Sequence, residues 1–267
     1  MNHPTGACSS AKRSVLNRIL IQGFVPIFVN DERDVRKLVE AAVNAGCDVL
    51  EYSCRRADAR EMIPWLKREF PHVAVLAATL VDSPRLEQFL TARGQPFLTI
   101  AAASDLGADA LVSFTRFRPP TYERFGADLV MIPGIHSANE ALDQIDLGAD
   151  LLKTSVLTVT GKEFISTVSI PTHRALPFFV SGGVTAANIG TFIQQGIAVA
   201  AAGFDVLVPD KTARDDELPR LGAAAIAHML SCVREARANH QPALAAAIKE
   251  GRSDVMACGP WYSPSLS

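Results

Sequence analysis

The stretch that decides the fold is "LGADLLKTSVL", residues 147–157. A glycine, a small residue and an aspartate precede a run of apolar residues, as they do where a helix ends and a buried strand begins. We interpret the glycine as the left-handed end of a helix and the apolar run as a strand covered on both faces. The same form recurs in "AGCDVLEYS" (45–53), "LGADALVSF" (106–114), "FGADLVMIP" (125–133) and, more loosely, "QGIAVAAAG" (195–203).

Three more apolar runs, "FVPIFV" (24–29), "VAVLAATL" (73–80) and "LPFFVSG" (176–182), bring the predicted strands to eight. The segments between them have apolar residues at spacings of three and four, which is typical of amphipathic helices. Strands that alternate with helices predict a parallel sheet. The count favours a closed (β/α)8 barrel, the TIM barrel of the α/β class, in a single domain over an open doubly wound sheet.

The chain divides into three predicted parts. Residues 1–15 read as a flexible N-terminal tail, 16–239 as the barrel, and 240–267 as a C-terminal helical extension and tail. The third strand–helix unit is long, because residues 91–107 separate its first helical segment from the next strand. We expect an extended or broken helix there.

Composition argues against several classes of partner. The formal net charge is −2, so neither nucleic acid nor a membrane is an expected partner. The first residues, "MNHPTGACSSAKRS", lack an apolar signal core, so secretion is not expected. The five cysteines are an odd number without metal-ligand spacing, which predicts free thiols in a reducing cytoplasm, no metal site and no cofactor.

Reactive groups in such barrels gather at the carboxyl ends of the strands. One lysine, Lys153, and one carboxylate, Glu51, are the notable residues there among small or apolar neighbours. Burial among apolar groups disfavours the charged form of an amine, and a neutral amine can attack a ketone to form an imine. Glu51 could then move the protons. The alternative is that the two residues only form a buried ion pair, and the residues alone leave both readings open.

Two neighbouring motifs could bind an anion. "SGGVT" (181–185) follows the seventh strand, and its backbone N–H groups could face a phosphate, although a tight turn would need the same small residues. Arg55 and Arg56 follow Glu51, and one of them could hold a substrate carboxylate. A solvated loop arginine is the alternative.

In this order, the strand-end residues resemble the 2-keto-3-deoxy-6-phosphogluconate and 4-hydroxy-2-oxoglutarate aldolases. The resemblance covers about residues 16–210, and its most specific part is "IPGIHSANEALDQIDLGADLLK" (132–153). It implies a class I, Schiff-base aldolase of carbohydrate metabolism, a lyase that is usually a homotrimer. Such an enzyme cleaves a 2-keto-4-hydroxy acid to pyruvate and an aldehyde.

The resemblance also implies roles for individual residues. Lys153 would form the imine, and Glu51 would be the general acid/base, acting through a water. Arg55 and Thr79 would bind the pyruvate carboxylate, and Pro133 would line the pocket. The distal carboxylate or phosphate site would include Ser181, Gly182 and Gly183.

Three positions depart from the family pattern. "TSV" follows Lys153 where the family commonly has two phenylalanines and a proline, and Phe-Thr follows Ser113 in place of Pro-Gly. "GFD" (203–205) stands where the family often has Gly-Gly-Ser. Because Asp205 would repel a phosphate, we expect little preference for a phosphorylated substrate.

Two other functions fit the same residues. One is a barrel isomerase or epimerase acting on a sugar phosphate, with Glu51 as the base and Lys153 as an electrostatic group. The other is a relative without catalysis that binds a keto acid or a protein.

Overall fold

The computed structural model describes residues 8–29 and 33–262. All the strand pairings are parallel, and the strands form one sheet in the order β5-β4-β3-β2-β1-β8-β7-β6. The predicted strands are therefore confirmed in number and order. They are β1 Phe24–Phe28, β2 Val49–Ser53, β3 Ala74–Leu80, β4 Ala110–Ser113, β5 Val130–Ile132, β6 Leu152–Ser155, β7 Phe178–Ser181 and β8 Val199–Gly203.

Helices connect the strands and surround the sheet. The helix α3 contains Pro64 in its interior. Across the described segments, no helix has the length and apolar character needed to cross a membrane. The helices are α1 Ser10–Gln22, α2 Val35–Asn44, α3 Ala59–Glu69, α4 Pro84–Ala92, α5 Ile100–Asp105, α6 Pro119–Phe125, α7 Ala138–Asp146, α8 Phe164–Ser169, α9 Ile189–Gln194, α10 Phe204–Leu207, α11 Leu218–His240 and α12 Pro242–Lys249.

The barrel closes between β5 and β6, at the level of Lys153. Gly134 forms a parallel bridge with Lys153 just beyond the end of β5. The Lys153 N–H donates to the Pro133 carbonyl at 2.8 Å, and the Ile135 N–H donates to the Lys153 carbonyl at 2.9 Å. These bonds make the sheet a nearly closed (β/α)8 barrel, as predicted, and they fix the backbone of the lysine.

The repeated Gly-small-Asp motif has a structural role at the opposite end of the strands. The Asp109 carboxylate accepts the N–H of Val75 at 2.8 Å, and the Asp150 carboxylate accepts the N–H of Met131 at 2.7 Å. Each aspartate thus fixes the start of a neighbouring strand. The expected left-handed glycine is present at four of the five copies: φ is 84° at Gly46, 92° at Gly107, 99° at Gly148 and 100° at Gly196.

The fifth copy differs. Gly126 has φ −65°, a right-handed value, so the prediction of a left-handed glycine is wrong there. The Leu129 N–H donates to the Phe125 carbonyl, so the chain continues in a turn past Gly126 before β5 begins. The chain therefore does not reverse its direction at Gly126, and a left-handed conformation is not needed there.

Alternate residues of each strand face the barrel interior, as period-two geometry requires. Val49 and Leu151 point inward. Glu51 lies two residues after Val49 and Lys153 two residues after Leu151, so both also point inward. The interior apolar layer comprises Val25, Val49, Leu76, Ala110, Val130, Leu151, Phe179 and Val199.

The helix α1 and the C-terminal segment through Trp261 close the base of the barrel. Ile19 and Leu20 of α1 are fully buried in the interior cluster, together with Val255 and Trp261. The Trp261 indole N–H donates to the Gly196 carbonyl at 2.9 Å. The C-terminal segment is thus part of the barrel core through at least Trp261, and the sequence-based expectation of a tail does not hold there.

The flexible tail predicted for residues 1–15 is also wrong for residues 10–15, which belong to α1; residues 1–7 lie outside the described part of the chain. The Ser9 side chain caps this helix by accepting the N–H of Lys12. Lys12 is buried because its ammonium lies 2.8 Å from the Asp150 carboxylate and 2.7 Å from the Gly126 carbonyl. These partners are far away in the sequence, so the sequence alone indicates that Lys12 lies on the surface.

The long third unit contains a broken helix, as predicted. The helices α4 and α5 are separated by residues 93–99. None of the residues of α4 is buried, and its Leu86 and Phe89 side chains are exposed. This helix therefore projects from the barrel.

We predict that Trp261→Ala lowers the free energy of unfolding by about 3–5 kcal/mol, because it removes a buried ring and its hydrogen bond. Urea unfolding followed by circular dichroism measures this change. Tyr262→Ala is the matched control: its side chain is exposed, so we expect a change within about 0.5 kcal/mol. Equal stability of the two variants would show that the C-terminal segment does not hold the base together.

Candidate active site

Lys153 and Glu51 meet inside the mouth of the barrel. The Lys153 Nζ lies 2.6 Å from Glu51 Oε1, and the two side chains are 11% and 3% exposed. The ammonium also lies 5.5 Å from the centre of the Phe179 ring, on the adjacent strand. The two residues that the sequence singles out are therefore in direct contact, and the ion pair considered as the alternative is present.

The two oxygens of this carboxylate have different surroundings. Glu51 Oε2 is buried and has no hydrogen-bond partner among residues 8–29 and 33–262. A buried acceptor without a partner is costly, and it is a natural place for a water or a substrate hydroxyl. One carboxylate could thus contact both the amine and a second group.

A layer of hydroxyls lies one inward position beyond the pair. The Ser53 and Thr79 hydroxyl oxygens are 2.6 Å apart, and those of Ser155 and Ser181 are 3.3 Å apart. Thr79 has φ 61°, next to an irregularity in the pairing of β3 with β4. Such a conformation in a β-branched residue costs about 1–3 kcal/mol and is found mainly at functional sites.

The two arginines after β2 have different environments. Arg56 is buried, and its Nε donates to the Tyr52 hydroxyl at 3.0 Å and to Asp58 Oδ1 at 2.9 Å. Burial alone would raise the pKa of Asp58, but hydrogen bonds from Arg56 and Tyr52 outweigh it and lower that pKa. Arg56 thus stabilises its own loop, whereas the Arg55 side chain is exposed and available to a ligand.

The "IPG" run joins the ends of three strands. The Pro133 carbonyl holds the Lys153 N–H, and a Cβ on Gly134 would collide with the backbone of Phe114. The Phe114 ring packs on the His136 ring with centroids 4.8 Å apart. Sequence reasoning singled out Pro133 and noted Phe114 as a departure from the family pattern. It did not predict the close packing at Gly134 or the contact between Phe114 and His136, a residue that it interpreted as the start of a helix cap. The large apolar residue directly after a strand end was the available signal.

The Gly182–Gly183 turn is covered by the segment that follows β6. Residues Val156–Thr160 form a π-helical turn, and the Leu157 N–H donates to the Gly182 carbonyl at 3.1 Å. Gly182 and Gly183 have φ 75° and 84°, and a Cβ on Gly183 would lie 2.6 Å from Leu157 Cδ1. The next helix begins only at Ile189, so its N-terminus does not directly follow the turn.

The loop after β8 places its two unusual residues on different sides. Phe204 is buried, and its ring lies 5.2 Å from that of Phe28. Asp205 is exposed, and its carboxylate folds back over Gly203. The acidic group that the sequence places in this loop therefore stands at the open end of the barrel.

The five cysteines are free thiols, as predicted. Cys54 follows the end of β2, but burial raises the pKa of its thiol to about 12, and the charge of Glu51 contributes to that rise. The thiol therefore stays protonated near neutral pH and is not a nucleophile. Lys153 therefore stays the predicted nucleophile.

The chain is similar to known proteins in sequence and in fold. The family model described as "Aldolase: KDPG and KHG aldolase" matches residues 17–224. A 2-dehydro-3-deoxy-6-phosphogalactonate aldolase of Escherichia coli is 24% identical over 168 residues, which are 63% of this chain and 76% of the relative. A 2-dehydro-3-deoxy-phosphogluconate aldolase of Zymomonas mobilis is 24% identical over 178 residues, or 66% of this chain and 78% of the relative.

A solved structure has the same fold. It is a KDPG aldolase from Legionella pneumophila with pyruvate captured at low pH as a covalent carbinolamine intermediate. Its TM-score is 0.62 at 18% identity, with 82% of this chain and 97% of that chain covered. The named relatives are aldolases, which are lyases. The family match spans most of the barrel, and the chain belongs to the KDPG and KHG aldolase family.

Proposed function

We propose that this protein is a class I aldolase that cleaves a 2-keto-4-hydroxy acid to pyruvate and an aldehyde through an imine on Lys153. The observation that carries the proposal is the 2.6 Å contact between Lys153 and Glu51 inside the mouth of an aldolase-family barrel. An amine that can form an imine and a carboxylate that can take its proton are the two groups this reaction needs.

The first step activates the amine. A proton passes from the Lys153 ammonium to Glu51 across their hydrogen bond, which leaves a neutral amine. The amine attacks C2 of the keto acid to give a carbinolamine. Glu51 then gives its proton to the departing hydroxyl, so that loss of water leaves a protonated imine and an ionised Glu51. The structure of the Legionella relative holds pyruvate as a carbinolamine, which is the same kind of intermediate.

The second step breaks the C3–C4 bond. Glu51, acting through a water, accepts the proton of the C4 hydroxyl, and the electrons of the C3–C4 bond move into the imine. The aldehyde leaves and an enamine remains. Glu51, through the water, returns this proton to C3 and restores the protonated imine. Addition of water then releases pyruvate and the Lys153 ammonium. The unpartnered Glu51 Oε2 is the atom placed to bind that water.

The remaining strand-end groups would position the substrate. Arg55 and Thr79 would bind the carboxylate next to the keto group, since one is an exposed cation and the other an exposed hydroxyl at the mouth. Pro133 would line the pocket. The distal end of the substrate would lie towards Ser181, Gly182 and Gly183.

A homotrimer in the cytoplasm completes the proposal. The resemblance to the family supports the trimer, and the projecting helix α4, with Leu86 and Phe89 exposed, offers apolar surface to another subunit. The free thiols fit a reducing compartment.

Pyruvate with borohydride tests the imine directly. We expect a mass increase on Lys153 that Lys153→Ala abolishes together with keto-acid cleavage, because no other amine replaces the nucleophile. Lys162→Ala is the matched control: its exposed side chain lies in the loop after β6, and we expect adduct and turnover to persist. Retained cleavage in Lys153→Ala would contradict the mechanism. Absence of an adduct together with turnover of a sugar phosphate would favour the isomerase or epimerase reading.

Glu51→Gln separates binding from proton transfer. The amide keeps the size of the side chain but loses the base, so we expect kcat to fall by about 10²- to 10⁴-fold. Stopped assays of pyruvate release measure kcat, and adduct formation after long incubation checks that the amine is still accessible. A kcat within about threefold of the parent would exclude Glu51 as the general acid/base.

Arg55→Ala tests the carboxylate contact. Loss of a charge-assisted hydrogen bond of about 1.5–3 kcal/mol predicts a KM for the keto acid raised by about 10- to 100-fold. Arg60→Ala removes another exposed arginine at the start of α3 and should leave KM unchanged. Equal KM values in the two variants would remove Arg55 from the site.

A further inference from the structure

Three large apolar side chains are exposed in the loops after β4 and β6. Phe114 is 44% exposed, Leu157 45% and Val159 51%. Single exposed apolar residues are common on protein surfaces. Leu157 and Val159, however, lie in the turn that follows the strand of Lys153. Phe114 directly follows β4, which pairs with β5. Their exposure near Lys153 suggests a role in substrate binding.

Phe114 is held close to the lysine. Ala110 and Val112 face the barrel interior. Since alternate residues of a strand share a face, Phe114, two residues after Val112, continues that face. The Phe114 backbone packs against Gly134, which bridges Lys153. The His136 ring packs on the Phe114 ring, and its Nε2 lies 3.1 Å from the Phe114 carbonyl. The phenyl ring is thus fixed at the mouth.

Leu157 takes the place where a distal anion would bind. Its side chain lies on Gly183, and its N–H is already used by the Gly182 carbonyl. Thr158 Oγ1 would be 2.8 Å from a Cβ on Gly182, so the turn is covered from this side as well. The turn is therefore covered by the apolar Leu157 at Gly183 and by the uncharged hydroxyls of Ser155 and Thr158 at Gly182.

The charges in the segments after β6, β7 and β8 also disfavour an anion. Residues 156–163, 182–188 and 204–207 follow β6, β7 and β8, and their charged residues are Lys162, Glu163 and Asp205. The Lys162 ammonium lies 3.8 Å from the Glu163 carboxylate. Lys153 is paired with Glu51. A distal phosphate or carboxylate would therefore meet Asp205, while Lys153 and Lys162 already have acidic partners.

We infer that the aldehyde half of the substrate is apolar and uncharged. The preferred substrates are then 4-hydroxy-2-keto acids that carry an aryl or branched alkyl group on C4. The substituent lies against Phe114 and Leu157, and Asp205 disfavours anions. This inference rests on the proposed aldolase function and names its substrate class.

Pyruvate release, coupled to lactate dehydrogenase, compares two substrates: 4-hydroxy-2-oxo-4-phenylbutanoate and 2-keto-3-deoxy-6-phosphogluconate. We expect kcat/KM to be at least about tenfold higher for the phenyl substrate, because ring burial against apolar side chains is favourable. A higher kcat/KM for the phosphorylated substrate overturns the inference. A borohydride adduct on Lys153 with no cleavage of the phenyl substrate also overturns it, while the imine proposal stands. Absence of the adduct instead refutes the proposed function.

Variants test whether Phe114, Leu157 and Asp205 determine this substrate preference. Leu157→Ala and Phe114→Ala should each lower kcat/KM for the phenyl substrate by about 5- to 20-fold, with the pyruvate adduct unchanged. Asp205→Ser should raise kcat/KM for the phosphorylated substrate by about tenfold. Ile170→Ala, at an exposed apolar residue after α8, is the control and should change neither value.

Light scattering on the same variants tests whether these side chains contact another subunit instead of the substrate. We expect Leu157→Ala and Phe114→Ala to keep the mass of the parent assembly. A change of mass with unchanged kcat/KM would show that Phe114 or Leu157 contacts another subunit, and the inference would fail.

Discussion

The buried ion pair between Lys153 and Glu51 is the interaction on which the account of this barrel depends. Removing two charges from water is costly, and the cost is recovered only when each has its partner at close range. Their 2.6 Å contact joins β2 to β6 across the interior. Proton exchange within such a contact also lets one residue become a neutral amine without an unpaired charge.

The rest of the molecule leaves that pair free to react. The hydrogen bonds that close the barrel fix the Lys153 backbone, and the aspartates of the repeated motif align the strand starts at the other end. The helix α1 and the C-terminal segment fill the base with apolar side chains. Stability thus comes mainly from the base and the outer helices, and the mouth retains strained and unpaired groups, such as Thr79 and Glu51 Oε2.

The parts of this arrangement that local patterns encode could be predicted from the sequence. The strands follow from short apolar runs after a glycine and an aspartate, and Lys153 and Glu51 follow from charge at strand ends. Other features depend on contacts between distant segments. Lys12 is buried only because Asp150 pairs with it, Trp261 is buried against Gly196, and Leu157 covers Gly183. No local pattern indicates such pairings, so the start of α1 and the covered glycine turn were missed.

A crystal structure of the protein with bound pyruvate tests the central claim most directly. The account predicts continuous electron density from Nζ of Lys153 to C2 of pyruvate, with a water or hydroxyl on Glu51 Oε2. Pyruvate bound without a covalent link, with the lysine still 2.6 Å from Glu51, would contradict it.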